Sequence, residues 1–198
     1  MNRAGWPRAG AFLWLFLLAA CATTPEAPVT GPVADLSPKA VRFELMGRIG
    51  IRNGEEGMSG ALRWLHTPAT DELWFSSPVG TSVARLYRDR DGVELTLSDG
   101  QVGRAPTAEA LTREALGWEL PLRGMEYWVL AQPAPWSAPT RVERDEPSGR
   151  LTSMRQDGWS IEYRRYVDTP WGALPSLITM SYSDLQIRLA IDRWDVTP

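Results

Sequence analysis

From about residue 41 onward, apolar and polar side chains alternate in short stretches. The first stretch places Phe43, Leu45 and Ile49 on one side and charged residues on the other. A period of two is typical of a β-strand that is buried on one face. Turn pairs such as Asp157-Gly158 separate neighbouring stretches, as they do in β-hairpins. The pattern predicts a mainly β domain with one antiparallel sheet of roughly ten strands, apolar on one face.

The same alternation sets the approximate bounds of the predicted strands. They cover residues 41–52, 59–65, 72–76, 82–87, 93–97, 150–156, 159–165, 177–182 and 185–194. Such a large antiparallel sheet tends to curl, and its concave apolar face has to be covered.

The middle of the chain has helical spacing instead. Residues 107–117 (TAEALTREALG) predict a helix with Thr107 as the N-cap and Gly117 just beyond the last turn. Residues 125–132 (MEYWVLAQ) predict a second, shorter and very apolar helix. The apolar segment 116–129 is therefore expected to cover the apolar face of the sheet.

The first residues of the chain have the pattern of an export signal. Arg3 and Arg8 precede an uncharged apolar run over residues 11–20 that ends immediately before Cys21. This run of about ten residues is too short for a membrane-spanning helix, which needs roughly 20. We therefore predict a lipoprotein signal peptide over residues 1–20, with Cys21 as the acylated new N-terminus. An ordinary cleavage site beside a cysteine is the alternative.

The next segment is rich in Pro, Thr and Ala, which predicts a tether over residues 21–38 and a folded domain over residues 39–198. Ala22 stands where many bacteria use an aspartate to retain lipoproteins in the inner membrane. Its presence favours export to the periplasmic face of the outer membrane.

Composition excludes some classes of function. The chain carries 21 basic and 24 acidic residues. Removal of residues 1–20 takes away two arginines, so the mature net charge becomes −5. An acidic domain is a poor nucleic-acid binder, because neutralising phosphates requires a basic surface. Eight of the ten tryptophans follow Cys21, and their large side chains suit cores, interfaces and apolar pockets alike.

Catalytic and metal-binding patterns find little support in the sequence. His66 is the only histidine and Cys21 the only cysteine, so neither a histidine-based metal motif nor a disulfide can form. A lone histidine of this kind is far more often structural or surface-exposed than catalytic. Phosphate-binding glycine loops are absent from the sequence. We therefore expect no catalytic residues, no metal and no cofactor apart from the lipid on Cys21.

One turn combines rigid residues with an apolar side chain. Pro78 and Gly80 are turn formers, and they flank Val79. The simplest interpretation is a connecting turn with one exposed valine. The alternative is a membrane-insertion loop formed by these three residues.

Several segments together resemble the LolB family of outer-membrane lipoproteins, in the same order over nearly the whole mature chain. These segments are Cys21, residues 47–50 (GRIG), 62–64 (LRW), 77–80 (SPVG), 127–133 (YWVLAQP), 156–159 (QDGW) and 185–194.

The resemblance implies an open, unclosed antiparallel β-barrel with a helical lid over an apolar cavity. It further implies a monomer that takes lipoproteins from the periplasmic carrier LolA and inserts them into the inner leaflet of the outer membrane without ATP. An exposed leucine is linked to insertion in the family, and Val79 occupies that position here.

The expected cavity wall consists of apolar residues drawn from the strands and from the helical segment. They are Leu45, Ile49, Trp64, Phe75, Trp118, Trp128, Ile161, Ile187 and Leu189. Each of them fits ordinary core packing equally well, because core and cavity wall have the same pattern in sequence. Two other classes of function remain: a structural envelope lipoprotein with a packed core that binds a protein partner, and a periplasmic hydrolase that uses His66.

Overall fold

The computed structural model describes residues 36–197. This part of the chain forms eleven strands and two helices. In chain order they are β1 (Arg42–Asn53), β2 (Glu56–His66), β3 (Asp71–Ser76), β4 (Ser82–Asp89), β5 (Gly92–Leu97), β6 (Val102–Ala105), α1 (Ala108–Leu116), α2 (Leu122–Trp128), β7 (Arg141–Arg144), β8 (Leu151–Gln156), β9 (Trp159–Thr169), β10 (Gly172–Tyr182) and β11 (Leu185–Thr197).

All eleven strands belong to one antiparallel sheet, in the order β6-β5-β4-β3-β2-β1-β11-β10-β9-β8-β7. The sheet is open, because β6 and β7 are its two edges. The mainly β class and the open antiparallel sheet are thus confirmed, with eleven strands where roughly ten were expected. The first and last long strands, β1 and β11, pair at the centre and join the two halves.

Each strand is apolar on one face, as the alternation predicted. Leu45, Trp64 and Leu73 lie level with one another across β1, β2 and β3 and are almost fully buried. The opposite face carries arginine and glutamate side chains, such as the ion pair between Arg63 and Glu44 at 2.6 Å. We call the apolar side the inner face. Its burial is the main source of stability of the sheet.

Both helices cover the inner face. The Thr107 hydroxyl accepts from the Ala110 amide at 3.2 Å and caps α1, and Gly117 ends it in the left-handed region at φ 78°. Both predictions for α1 are confirmed. The segment after α1 returns across the inner face as α2, which buries Met125 and Trp128 almost completely.

The position of α2 shows that the sheet is strongly curved. Glu126 of α2 pairs with Arg88 of β4, while the Trp128 indole donates to Gln156 of β8 at 2.8 Å. In a flat sheet, β4 and β8 would lie about 34 Å apart, at about 4.8 Å per strand. A helix of seven residues is only about 10 Å long. One short helix therefore contacts two distant parts of the sheet because these parts curl toward each other.

Two predicted boundaries were wrong. The second helix occupies residues 122–128, not 125–132, because Pro121 is compatible with the start of a helix and Ala131 takes a positive φ of 56°. The strand expected at 177–182 begins at Gly172, since β9 and β10 continue as one long hairpin to a turn at Pro170 and Trp171. The prolines at 170 and 175 had interrupted the alternation.

Two strands were missed altogether. The edge strands β6 and β7 have four residues each and few buried side chains. Their alternation is too short to stand out, and strand pairing alone defines them.

The register defines two ends of the sheet. We call one the Val79 end; it carries the turns at residues 54–55, 77–81, 98–101, 157–158 and 183–184. We call the other the N-terminal end; it carries residues 36–41 and the turns at 67–70, 90–91, 145–150 and 170–171. Leu36 and Val41 are buried, so the folded unit already includes the last residues of the predicted tether.

The close pairing of β1 with β11 generates a stability prediction. A Cβ atom at Gly47 would lie 2.1 Å from the carbonyl oxygen of Ala190, beside an irregularity in the register. Gly47→Ala is expected to lower the free energy of unfolding by about 1–3 kcal/mol, because backbone has to shift. Urea unfolding followed by circular dichroism measures the change.

Gly50→Ala is the matched control on the same strand, because a Cβ atom there meets nothing within 4 Å. Its stability should be unchanged or raised by about 0.5–1 kcal/mol, since alanine is less costly to order than glycine. Equal stability of the two variants would contradict the close approach at Gly47.

Candidate functional site

Seven of the nine predicted wall residues lie in the tightly packed interior. Each of the seven is at most 4% exposed: Leu45, Ile49, Trp64, Trp128, Ile161, Ile187 and Leu189. Phe75 and Trp118 are partly buried and pack against them. The structure thus brings the nine residues into one apolar interior, where the sheet and the helices fill the space between them.

Trp118 differs from the other wall residues because it also lines surface depressions at the Val79 end. One depression has a volume of about 520 Å³ and includes Trp159 and Tyr182. A smaller one of about 160 Å³ lies between Trp118 and Met58. The ring of Trp159 lies 5.9 Å from that of Trp128 and 5.5 Å from that of Tyr182. Aromatic contacts therefore connect the surface to the buried interior at this end.

The turn between β3 and β4 holds Val79 out into solvent. The Gly80 amide donates to the Ser77 carbonyl and the Ser77 amide to the Thr81 carbonyl, both at 2.8 Å. Gly80 has φ 85°, which favours glycine. The Val79 side chain is 88% exposed, the highest value among the large exposed apolar residues. Residues 75–84 contain no charged side chain, so the tip is apolar and uncharged.

The N-terminal end of the inner face has the opposite character. His66, Asp71 and Arg88 project there from β2, β3 and β4, and Glu126 of α2 covers them. The Asp71 carboxylate accepts from the Trp64 indole at 2.7 Å, from His66 Nδ1 at 2.7 Å and from Arg88 Nε at 2.6 Å. We call these four residues the buried charge cluster: His66 and Asp71 are almost fully buried, while Arg88 and Glu126 are half-buried and line a surface depression of about 770 Å³.

The cluster fixes the state of its histidine. His66 Nε2 lies 2.9 Å from the Pro38 carbonyl oxygen and Nδ1 faces Asp71, so both ring nitrogens donate. Burial alone would lower the pKa of His66, but the hydrogen bond and charge of Asp71 outweigh it and the net pKa is raised. Likewise, burial would raise the pKa of Asp71, but its bonds to His66, Arg88 and Trp64 lower it. His66 is thus a structural imidazolium, with no ring nitrogen left for substrate.

Glu126 titrates near neutral pH. Burial and the nearby charge of Asp71 raise its pKa from 4.5 to about 7, despite the ion pair with Arg88 at 3.0 Å. The ligand atoms of His66, Asp71 and Glu126 lie within 4.8 Å of one another, which is a possible metal arrangement. However, Arg88 already supplies the positive charge between the two carboxylates, and both His66 nitrogens are donors, so these residues do not fit a metal ion.

The cluster was not predicted from the sequence. Of its members only His66 was considered, mainly as a structural or surface residue and otherwise as the catalytic residue of a hydrolase. Asp71 is a charged residue at an inner-face position of its strand, and this position in the alternation is the signal that could have revealed it.

Cys21, residues 1–20 and most of the predicted tether lie outside the described residues, so these assignments stay predictions. Within residues 36–197, neither helix has the length and apolar character needed to cross a membrane.

The sequence model of the family described as "Outer membrane lipoprotein LolB" matches residues 41–194, which is most of the chain. The chain belongs to the LolB family. LolB is a family of lipoprotein-localisation proteins of the outer membrane and not an enzyme family, so an outer-membrane location follows.

Curated LolB proteins are similar over most of their own length. "Outer-membrane lipoprotein LolB" of Nitrosomonas europaea is 41% identical over 155 residues, 77% of this chain and 72% of that protein. The protein of the same name from Thiobacillus denitrificans is 38% identical over 184 residues, 91% of this chain and 93% of that protein. The resemblance seen in the sequence is thereby confirmed.

A solved structure shares the fold at low sequence identity. A DUF1329 family protein from Desulfovibrio piger superposes with a TM-score of 0.52 at 6% identity, covering 81% of this chain and 86% of that one. The similarity concerns the fold alone.

The titration of Glu126 generates a pH prediction. The folded protein binds a proton there more tightly than the unfolded chain, because the folded pKa is raised. The resulting stabilisation is complete below the unfolded pKa of about 4.5 and is lost as pH rises through about 7, at no more than about 1.4 kcal/mol per pH unit. Glu126→Gln should therefore gain stability relative to the native chain from pH 5 to pH 7.5.

Denaturant unfolding at several pH values measures this difference. Glu114→Gln, an exposed position on α1, is the control and should leave the pH dependence unchanged. A Glu126→Gln profile parallel to that of the native chain would show that Glu126 keeps an ordinary pKa.

Proposed function

We propose that this LolB-family protein accepts lipoproteins from a LolA-type periplasmic carrier and inserts them into the inner leaflet of the outer membrane. It acts as a monomer, held at the periplasmic face by lipid on Cys21, and uses neither ATP nor any other cofactor. The observation that carries the proposal is the apolar inner face of the sheet. It is covered by two short helices and not closed by pairing of the edge strands β6 and β7.

The free-energy cost of exposing acyl chains to water favours transfer between two proteins that cover them. Exposing acyl chains to water costs about 0.8 kcal/mol per methylene, so one chain of a dozen carbons costs about 10 kcal/mol. A carrier has to cover most of that surface, and a receptor has to cover it slightly better. Transfer from carrier to receptor then runs downhill without nucleotide.

The acyl chains would enter between the helices and the inner face. In the structure this space is filled, so α1 and α2 have to give way to the cargo. Trp118 marks the point of access, because it belongs to the predicted wall and also lines the depressions at the Val79 end. The buried charge cluster favours this direction, since acyl chains do not displace an ion-paired network at the other end.

Val79 would act at the insertion step. Burying one valine in a bilayer contributes only about 1.5–3 kcal/mol. This is too little for an anchor, but it is sufficient to bias a protein that is already tethered. The uncharged residues 75–84 allow the turn to approach lipid without desolvating a charge.

The packed interior favours the second candidate, a structural lipoprotein that binds a protein partner. Membership in the LolB family weighs against it. Hydrolysis by His66 has no support, because both of its ring nitrogens are engaged.

A transfer assay tests the acceptor function. The Cys21→Ala chain without residues 1–20 is mixed with a LolA-type carrier that is loaded with a lipoprotein, and the cargo is followed by pull-down. We expect cargo to move to this chain without ATP. Cargo that stays on a carrier known to be competent would leave the structural-lipoprotein function as the better account.

The access point is tested in the same assay with Trp118→Ala. The loss of apolar contact should weaken cargo retention about tenfold, corresponding to about 1.4 kcal/mol. Trp74→Ala is the matched control, because Trp74 lies on the outer face, where Arg63 stacks 4.7 Å from its ring. An equal effect of both variants would mean that Trp118 acts through stability alone.

Insertion is tested with Val79→Glu. This variant should accept cargo normally but release it into liposomes about tenfold more slowly, because a carboxylate at the tip opposes entry into lipid. Val142→Glu, at another exposed valine on the edge strand β7, is the control and should release cargo normally. Normal release by Val79→Glu would exclude the insertion role of the turn.

A further inference from the structure

A second exposed apolar tip lies on the hairpin between β9 and β10. We call residues 167–173 the β9–β10 tip. Val167 is 43% and Trp171 is 37% exposed, and Pro170 between them is exposed as well. The Thr169 hydroxyl donates to the Gly172 carbonyl at 2.7 Å and accepts from the Trp171 amide at 3.2 Å. These bonds fix the turn that presents the tryptophan.

Arginine and acidic side chains are interleaved beside this tip, because the neighbouring turn at residues 145–150 carries Asp145 and Glu146 as well as Arg150. Asp168, the one acidic side chain of the tip itself, is paired with Arg150 at 2.8 Å. Arg150 also lies 5.6 Å from the ring of Tyr166. The charges of Arg144 and Arg150 both act on Tyr166, immediately before the tip. An exposed tryptophan is typical of sites where proteins contact the headgroup region of a bilayer, because its ring is apolar and its indole N–H stays hydrated.

The tip lies at the end of the sheet where the chain arrives from Cys21. Leu36 and Val41 are buried there, and His66 binds the Pro38 carbonyl, so residues 36–41 are fixed to the domain. Fourteen intervening residues, 22–35, join Cys21 to this point. Even fully extended, this segment spans only about 50 Å. An anchor at Cys21 thus confines the domain to within about 50 Å of the bilayer, and the N-terminal end is the end at which the tether joins it.

The Val79 turn lies at the opposite end. Ser76, at the base of that turn, is level with Arg48 through β2. Leu177 of β10 pairs with Ala190 of β11, which pairs with Arg48, so Leu177 is level with Ser76 and Gly172 lies five residues beyond that level. With the turns that carry Val79 and Trp171 added, roughly eight residue rises, or about 25 Å, separate the two tips along the strands.

We propose that the β9–β10 tip is a second membrane-contact surface, which seats the domain on the bilayer that holds its lipid anchor. While the tip is seated, the Val79 end faces the periplasm and is available to a carrier. Insertion then requires the domain to turn so that Val79 meets the bilayer. The proposal rests on the anchor at Cys21 but not on the insertion role of Val79.

A bilayer is the occupant that fits best. One tryptophan and one valine bury too little surface to hold a protein partner or a second copy stably. The same two side chains are sufficient next to a bilayer, because the anchor already confines the domain there. A weak second contact then forms at a high effective concentration of lipid.

The test measures dye accessibility in the anchored protein. Cys21 is the only cysteine and its thiol is blocked by lipid, so an introduced cysteine is the single free thiol. Trp171→Cys is labelled with an environment-sensitive dye and reconstituted into vesicles of phosphatidylethanolamine and phosphatidylglycerol. Quenching by iodide is compared with the same position in the Cys21→Ala chain in buffer.

Two matched positions serve as controls. Arg90→Cys reports on a different turn at the N-terminal end, and Glu55→Cys reports on the Val79 end. We expect a severalfold drop in quenching at position 171 on vesicles and little change at positions 90 and 55. Equal protection at 171 and 90, or protection at 55 instead, overturns the assignment to the tip.

A second pair of variants separates lipid contact from local structure. With the dye on Val167→Cys, Trp171→Phe should keep the protection and Trp171→Glu should abolish it. Flotation of the vesicles checks the anchor independently. Protein that floats with an unprotected tip overturns this proposal and leaves the anchor intact, whereas protein that does not float contradicts the anchor and this proposal together.

Discussion

An eleven-stranded sheet that is apolar on one face is stable in water only if that face is covered. In this protein the edge strands β6 and β7 stay unpaired with each other, so the sheet does not close by strand pairing. The cover comes from α1, α2 and the segment around Trp118, whose contacts with the sheet are side-chain contacts. Such contacts can be exchanged for those of an acyl chain, whereas closing the sheet with backbone hydrogen bonds would seal the interior.

The two ends of the covered interior differ in their chemistry. At the N-terminal end, Asp71, Arg88, His66 and Glu126 form an ion-paired network that joins three strands, α2 and the incoming chain. At the Val79 end, the charges beside Trp118, such as Arg113 and Glu119, are exposed to solvent, and aromatic rings connect the surface to the interior. Under the proposed function this difference favours entry at the Val79 end, because apolar cargo at the other end would have to separate paired charges.

The local sequence pattern correctly predicted those features of the fold that depend on residues close together in the chain. The alternation over β1 and β11, the cap at Thr107 and the end of α1 at Gly117 follow from side chains that are close in sequence. The edge strands and the extension of β9 and β10 past Pro175 did not follow. Their pairing is defined by a partner strand, and their own residues carry too little alternation.

The sequence by itself determined the class of fold, the family, the apolar face of each long strand and Val79 as a candidate tip. All of these reside in periodicity or in short motifs. Only the tertiary structure decided that the predicted wall residues are packed together, that Glu126 meets Arg88 and Asp71, and that Val79 and Trp171 lie at opposite ends. These facts depend on the curvature and register of the sheet, which arise from contacts between residues far apart in the chain.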